Sequence, residues 1–159
     1  MLDKPIEEVM NHSDRDIVIP ADVVATVNEN NNLQHVFLVL TKIKYSKIPV
    51  LDVDNHFKGL ISLSMITDQM LVDEGLDTDR LGNILVKDIM QTDVHTIYEK
   101  ENLEVILRYL VDENFLPYVD KDDHFLGIIT RREILQEVNF LTHNFDKYFH
   151  AEPNEISTK

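Results

Sequence analysis

Pro117-Tyr118-Val119-Asp120-Lys121-Asp122-Asp123-His124-Phe125-Leu126-Gly127-Ile128-Ile129-Thr130-Arg131-Arg132-Glu133 reads as strand, turn, strand and the polar start of a helix. Pro49-Val50-Leu51-Asp52-Val53-Asp54-Asn55-His56-Phe57-Lys58-Gly59-Leu60-Ile61-Ser62 reads the same way. Pro, Asp, Asp, His, Phe and Gly recur in one register, 68 residues on (49 to 117, 59 to 127). An internal repeat decides the architecture before any single element does, because each copy must bury its apolar face against a neighbour.

The repeat extends outward in both directions. Residues 4–11 form a short helical turn, with Pro5 tolerated near its start. A polar connector follows, Ser13 to Asp22, with an extended apolar centre at Ile17-Val18-Ile19-Pro20. Val23 to Val27 is β-branched and is predicted as a strand, and Asn28 to Asn32 as a turn that supplies an N-cap. Leu33, Val36, Phe37 and Leu40 share one helical face. Two strands follow, Lys47 to Asp52 and Phe57 to Leu63, then a helix from about Ser64 to Glu74, stopped by Gly75.

The second half replays this order. Val86-Lys87-Asp88-Ile89-Met90 echoes Ile6 to Met10, and Val94-His95-Thr96-Ile97 echoes Val24 to Val27. Leu103, Ile106, Leu107 and Leu110 repeat the first helical face, and the last helix is expected to end near Leu141. The fold class is therefore α+β, two β-α-β-β-α repeats. One copy has a sheet with helices on one face only, so two copies packed sheet to sheet cover each other, with pseudo-two-fold symmetry and two related clefts. The boundaries expected are 5–75 for repeat one, 76–85 for a linker, 86–141 for repeat two and 142–159 for a fraying tail.

Composition narrows the function. Fifteen basic against twenty-nine acidic residues give a formal charge of −14. No basic stripe is visible for a phosphate backbone, so nucleic acid is not an expected partner. A small anion remains compatible, because exposed charges are screened over roughly 8 Å and a few local cations outweigh distant acids. There is no cysteine for disulfide or thiolate chemistry. The N-terminus lacks the pattern of a signal peptide, and the longest apolar run, Val36 to Leu40, is far short of the ~20 residues that span a bilayer. The expectation is a soluble cytoplasmic protein without a membrane partner.

The tandem units, with their strand proline, their Gly-Leu-Ile-Ser and Gly-Ile-Ile-Thr segments and an acidic helix start in the second, resemble a pair of CBS domains, the Bateman module, over about residues 5–141. Ile19 to Ala25, Leu38 to Lys42, Tyr45 to Asp52 and Thr130-Arg131-Arg132 are further similar to the small stand-alone CBS proteins of Gram-positive bacteria that bind cyclic di-AMP. The resemblance implies an adenine nucleotide in a cleft, its ribose held by a hydroxyl and an acid and its phosphates by cations. In repeat two the matching residues are Gly127, Thr130 and Glu133; in repeat one they are Gly59 and Ser62, with Met65 at the acidic position. Methionine cannot accept a ribose hydrogen bond, so the clefts are expected to be unequal. Further contacts are implied from Val23 and Ala25, from Ser46 and Lys47, and from Arg131 and Arg132, while Tyr45 reads either as a ring that stacks on a base or as an edge-of-core tyrosine. Guanidinium suits paired phosphate oxygens. Val23 stands where such proteins have a lysine, and Lys47 where they have a small residue.

Each of these residues also has a plainer reading. Thr130-x-x-Glu133 is a capping box. Two arginines in a helix's first turn oppose its dipole, which favours a bound anion over a solvated face. His56, His124 and the aspartates beside them read as turn formers without a convergent set of metal ligands. No nucleophile, base and orienting group can be assembled, so no catalytic residue, metal or cofactor is expected. The reading is a non-catalytic sensor, with cyclic di-AMP first among adenine nucleotides. The alternatives are an AMP, ADP or ATP sensor and a ligand-independent scaffold. The resemblance implies control of an enzyme such as a (p)ppGpp synthetase/hydrolase or pyruvate carboxylase. It also implies a homodimer, for which Ile66, Met70, Leu71, Ile134, Leu135, Val138 and Leu141 offer apolar surface.

Overall fold

The computed structural model describes residues 3–11, 16–98, 102–150 and 152. Helix α1 (Lys4–Asn11) is followed by strand β1 (Val18–Pro20), a 3-10 turn (Ala21–Val23) and β2 (Val27–Asn28). Then come α2 (Leu33–Lys42), β3 (Lys47–Leu51), β4 (Phe57–Ser62) and α3 (Leu63–Met70). A hairpin of β5 (Leu71–Val72) and β6 (Gly75–Leu76) and a second 3-10 turn (Asp79–Asn83) lead to α4 (Val86–Ile89) and β7 (Ile97–Tyr98). The chain closes with α5 (Leu103–Leu110), β8 (Phe115–Val119), β9 (Phe125–Thr130) and α6 (Arg131–Tyr148).

The two halves match in detail. Asn32 caps α2 by accepting from the His35 N–H at 2.9 Å, and Asn102 caps α5 by accepting from the Val105 N–H at 3.0 Å. In each half a short strand runs parallel to the next, which pairs antiparallel with the third: β2 with β3 and β4, β7 with β8 and β9. Leu33, Val36, Leu40, Ile48, Val50, Ile61 and Ile66 form the core of repeat one between sheet and helices. Ile97, Ile106, Leu110, Leu116, Ile129 and Ile134 form that of repeat two. A third cluster, Leu51, Phe125 and Ile128 with Phe57 and Phe115 against them, draws on both sheets and joins the repeats face to face.

The repeats also exchange their leading segments. β1 pairs antiparallel with β9, which makes it an edge strand of the other repeat's sheet. In the mirrored relation, Gln91 bridges to Leu60 on β4, each residue donating its N–H to the other's carbonyl at 2.9 Å. This exchange corrects the strand predicted over Val23 to Val27. The segment must pass from β9 at Pro20 to β3 at Val27, and no straight strand belongs to both sheets; a 3-10 turn closed by the Val24 N–H on the Ala21 carbonyl makes the step.

Two helix ends differ from expectation. α3 stops at Met70, and Gly75 sits in the β5–β6 hairpin at φ 140°, not behind a helix. α6 runs on to Tyr148, seven residues beyond Leu141, and α1 packs against this helix. Ile66, Met70 and Ile134 are buried within the chain, so of the apolar residues expected to pair two copies Leu71, Leu135 and Val138 stay open, at 60%, 65% and 37% exposed.

The two turns that opened the sequence reading meet at the pseudo-two-fold axis. Asp52 accepts from the N–H groups of Asp54 and His56, and Asp120 from those of Asp122 and His124, all at 2.9 Å. The imidazoles of His56 and His124 stack with centroids 4.4 Å apart, and Phe57 and Phe125 donate their N–H groups to Asp123 and Asn55 across the contact. Burial alone would raise the Asp52 and Asp120 carboxyls, but the backbone N–H groups and the histidine rings outweigh it and hold both below the ordinary aspartate value. A carboxylate depressed by folding contributes stability that is complete above its unfolded pKa and is lost as pH falls through its folded one. The urea midpoint should therefore fall steeply below about pH 4. The double variant D52N/D120N, which lacks these two carboxyls, should show a shallower acid limb.

Candidate functional site

The crossing of residues 19–25 from one sheet to the other roofs a cleft between the repeats. Its cavity measures about 320 Å³. Ile19, Val23, Val24 and Ala25 of the crossing form one apolar wall, and Ile48 and Pro49 of β3, Phe115 of β8 and Ile128 of β9 supply the rest. The polar groups in it are Tyr45, Lys47, Asn114, Thr130, Arg132 and Glu133. A side cavity of about 220 Å³ adjoins, lined by Lys44, Tyr45, Ser46, Lys47, Glu113, Asn114 and Phe115. Tyr45, Lys47, Asn114 and Phe115 border both.

The structure separates the two arginines. Arg131 donates from Nε to the Leu110 carbonyl at 2.7 Å and from Nη2 to the Val111 carbonyl at 2.8 Å. Its guanidinium thus closes the C-terminal end of α5, where free carbonyls and the dipole favour a cation. It lines neither cavity, whereas the expectation set both arginines against a ligand. Arg132 does line the main cavity, and among the described residues its side chain makes no hydrogen bond or ion pair. Thr130 accepts from the Glu133 N–H at 3.3 Å, so it caps α6 while both residues border the cavity. The cap therefore does not take this pair away from the cavity.

Of the other sequence candidates, Val23, Ala25 and Tyr45 line the main cavity, and Ser46 lines only the side cavity. Lys47 reaches away from the apolar wall, donating from Nζ to Gln91 Oε1 at 3.2 Å. That partner is neutral, and among the described residues Lys47 makes no ion pair. The cleft's remaining lining was not singled out in the sequence, although the repeat held the signal for part of it. Asn114 is Ser46 moved by one repeat, and Ile128 is Leu60 moved by one repeat. Both stand in equivalent backbone roles: the Ser46 carbonyl accepts from Leu63 and the Asn114 carbonyl from Arg131, each at 3.1 Å.

The counterpart positions on the other side of the module are occupied differently. Met65 packs against the core of repeat one, and Ser62 caps α3 by accepting from the Met65 N–H at 3.2 Å. His95, the counterpart of Ala25, stacks on Tyr109 with centroids 4.2 Å apart. The two sides of the module are thus chemically unequal, and the guanidinium and carboxylate stand on the repeat-two side. Among the described residues no helix is long and apolar enough to cross a membrane.

Comparison with known proteins agrees with this architecture. The CBS domain matches residues 6–71 and again residues 86–139. Cyclic di-AMP receptor B of Bacillus subtilis is 35% identical over 122 residues, which is 77% of this chain and 83% of the receptor. The crystal structure of CbpB from Streptococcus agalactiae superposes with a TM-score of 0.84 at 29% identity, covering 96% of each chain. The Listeria monocytogenes CbpB protein, solved in complex with c-di-AMP, superposes with a TM-score of 0.74 at 48% identity over 79% of this chain and 94% of that one. With two matched copies spanning most of its length, the chain belongs to the CBS-domain family.

Proposed function

We propose that this chain is a non-catalytic sensor that takes cyclic di-AMP into the cleft between its repeats and thereby changes its affinity for a protein partner. The observation that carries the reading is Arg132, unpaired among the described residues, at an apolar cavity walled by Val24, Ala25, Ile48 and Ile128. Apolar walls suit a base, Thr130 and Glu133 suit a ribose, and the guanidinium suits a phosphate. The family relation supports the ligand class, since the Listeria relative was solved with c-di-AMP. The side cavity favours a dinucleotide over a mononucleotide, because it adjoins the main one and adds Lys44 and Ser46 to the shared Lys47. One nucleoside half lies in the main cavity and the second phosphate passes toward the lysines.

The partner side of the proposal rests on linkage. A partner that prefers the empty form weakens ligand binding by the same factor by which the ligand weakens it. An enzyme such as a (p)ppGpp synthetase/hydrolase or pyruvate carboxylase fits the regulatory role. Pairing of two copies through the exposed apolar face of α6 completes the reading, with sedimentation at twice the 18.5 kDa chain mass as its check. Calorimetry with cyclic di-AMP, AMP, ADP and ATP decides the ligand. The expected result is heat with cyclic di-AMP at one molecule per chain and much weaker binding of the mononucleotides. Equal or tighter binding of AMP, ADP or ATP would make the chain an energy sensor, and no heat with any of them would remove the sensor reading.

A further inference from the structure

We propose that the β5–β6 hairpin is a docking surface for a basic, amphipathic segment of a protein partner. Leu71 and Leu76 are directly paired across the two strands, so their side chains share one face of the ribbon. They are 60% and 69% exposed, among the most open large apolar residues of the chain. The fold does not require this arrangement. In repeat two the positions one repeat on, 139–144, simply continue helix α6. The hairpin replaces helix by a short apolar ribbon held outward from the first repeat.

Charge selects the occupant. Asp68, Asp73, Glu74, Asp77 and Asp79 surround the two leucines in sequence, with Arg80 the one basic residue from 68 to 80. The Arg80 guanidinium turns to the Leu71 carbonyl, at 3.5 Å, rather than to any of these acids. An apolar centre with a charged rim is the usual anatomy of a protein interface. A second copy would bring the same carboxylates against these, and a two-fold contact would oppose like charges. An anionic bilayer is repelled for the same reason. A cationic segment carrying apolar side chains on one face satisfies both the leucines and the rim. None of the hairpin residues lines either cavity, so the surface can be tested without nucleotide and stands apart from the ligand reading.

The test uses the full chain and a labelled synthetic peptide of leucine and lysine at helical spacing, about 18 residues or five turns long. A control peptide carries serine in place of leucine. Fluorescence anisotropy should show the wild-type chain binding the leucine peptide, with L71S/L76S about ten-fold weaker and the serine peptide weak with both. The rim variant D73N/E74Q, which leaves the leucines intact, should flatten the salt dependence. Equal binding by wild type and L71S/L76S, or equal binding of the two peptides, would reduce the effect to diffuse charge and overturn the proposal. So would a loss of dimer mass in L71S/L76S on sedimentation, which would assign the leucines to a second copy. Leucine-dependent co-sedimentation with phosphatidylcholine/phosphatidylglycerol vesicles would assign them to a bilayer and overturn it likewise.

Discussion

Replacing Arg132 by alanine should weaken cyclic di-AMP binding about fifty-fold, while the same change at Arg131 should leave affinity nearly intact and lower stability instead. The two side chains are neighbours in sequence, but the helix sends them to different tasks. Arg132 borders the cavity without a partner among the described residues, so a phosphate gains its hydrogen bonds at no loss to the contacts seen there. A charge-assisted hydrogen bond contributes roughly 1.5–3 kcal/mol, and each 1.4 kcal/mol is ten-fold in affinity. R132K keeps the charge and loses the fork, so it should fall between wild type and R132A. Arg131 already donates to the Leu110 and Val111 carbonyls. Removing it leaves the end of α5 without those bonds, a cost of about 2 kcal/mol at this partly exposed site. Calorimetry reads the first effect and the urea midpoint the second. If R131A lost affinity as R132A does without losing stability, the assignment of roles would be reversed.

That division of labour marks where the sequence stops being legible. The repeat itself was readable because identical residues recurred in one register, and each copy's strands, turn and caps followed from local chemistry. Asn32 and Thr130 cap helices as their positions announce, and their repeat counterparts Asn102 and Ser62 do the same. The two arginines were not separable, because which of two adjacent helical residues faces a cleft depends on where the preceding helix ends. The exchange of leading segments was also hidden. Val18 to Pro20 is visibly extended, yet nothing local says that its partner is β9, more than a hundred residues away. The exchange turned the predicted strand over Val23 to Val27 into a crossing, and that crossing supplies the cleft's apolar wall. The hairpin after Met70 was missed for a different reason: Gly75 signals a helix stop and a turn equally well, and the leucine pairing that decides between them is a contact of only two residues per strand.

The exchange should also set the largest loss of stability available from a single added methyl group. G127A is expected to cost about 3 kcal/mol or more, a large part of a total stability that is roughly 5–15 kcal/mol for a domain. Gly127 sits opposite Pro20 where β1 crosses β9, at φ 155°, and an added Cβ would collide with the Ile19 carbonyl and lie 3.0 Å from Val18 Cγ1. The obstacle is mostly backbone, so no rotamer relieves it, and β1 must lift from the sheet. Because Ile19 to Ala25 then loses its anchor, ligand binding should fall with stability. The other three glycines of the chain separate the causes. At Gly59, one repeat earlier, an added Cβ would collide with the Gln91 carbonyl, without a positive φ. G59A should cost about 2 kcal/mol and spare the cleft wall. At Gly75 the φ of 140° is strained for alanine but the space is open, so G75A should cost about 1 kcal/mol. At Gly82 the nearest atom would be Gln34 Oε1 at 3.6 Å, an ordinary contact, and G82A should be close to neutral. Urea unfolding of the four variants, with calorimetry on those that stay folded, checks the order. Were G127A no worse than G75A, the close approach of β1 to β9 would not be a main contribution to stability.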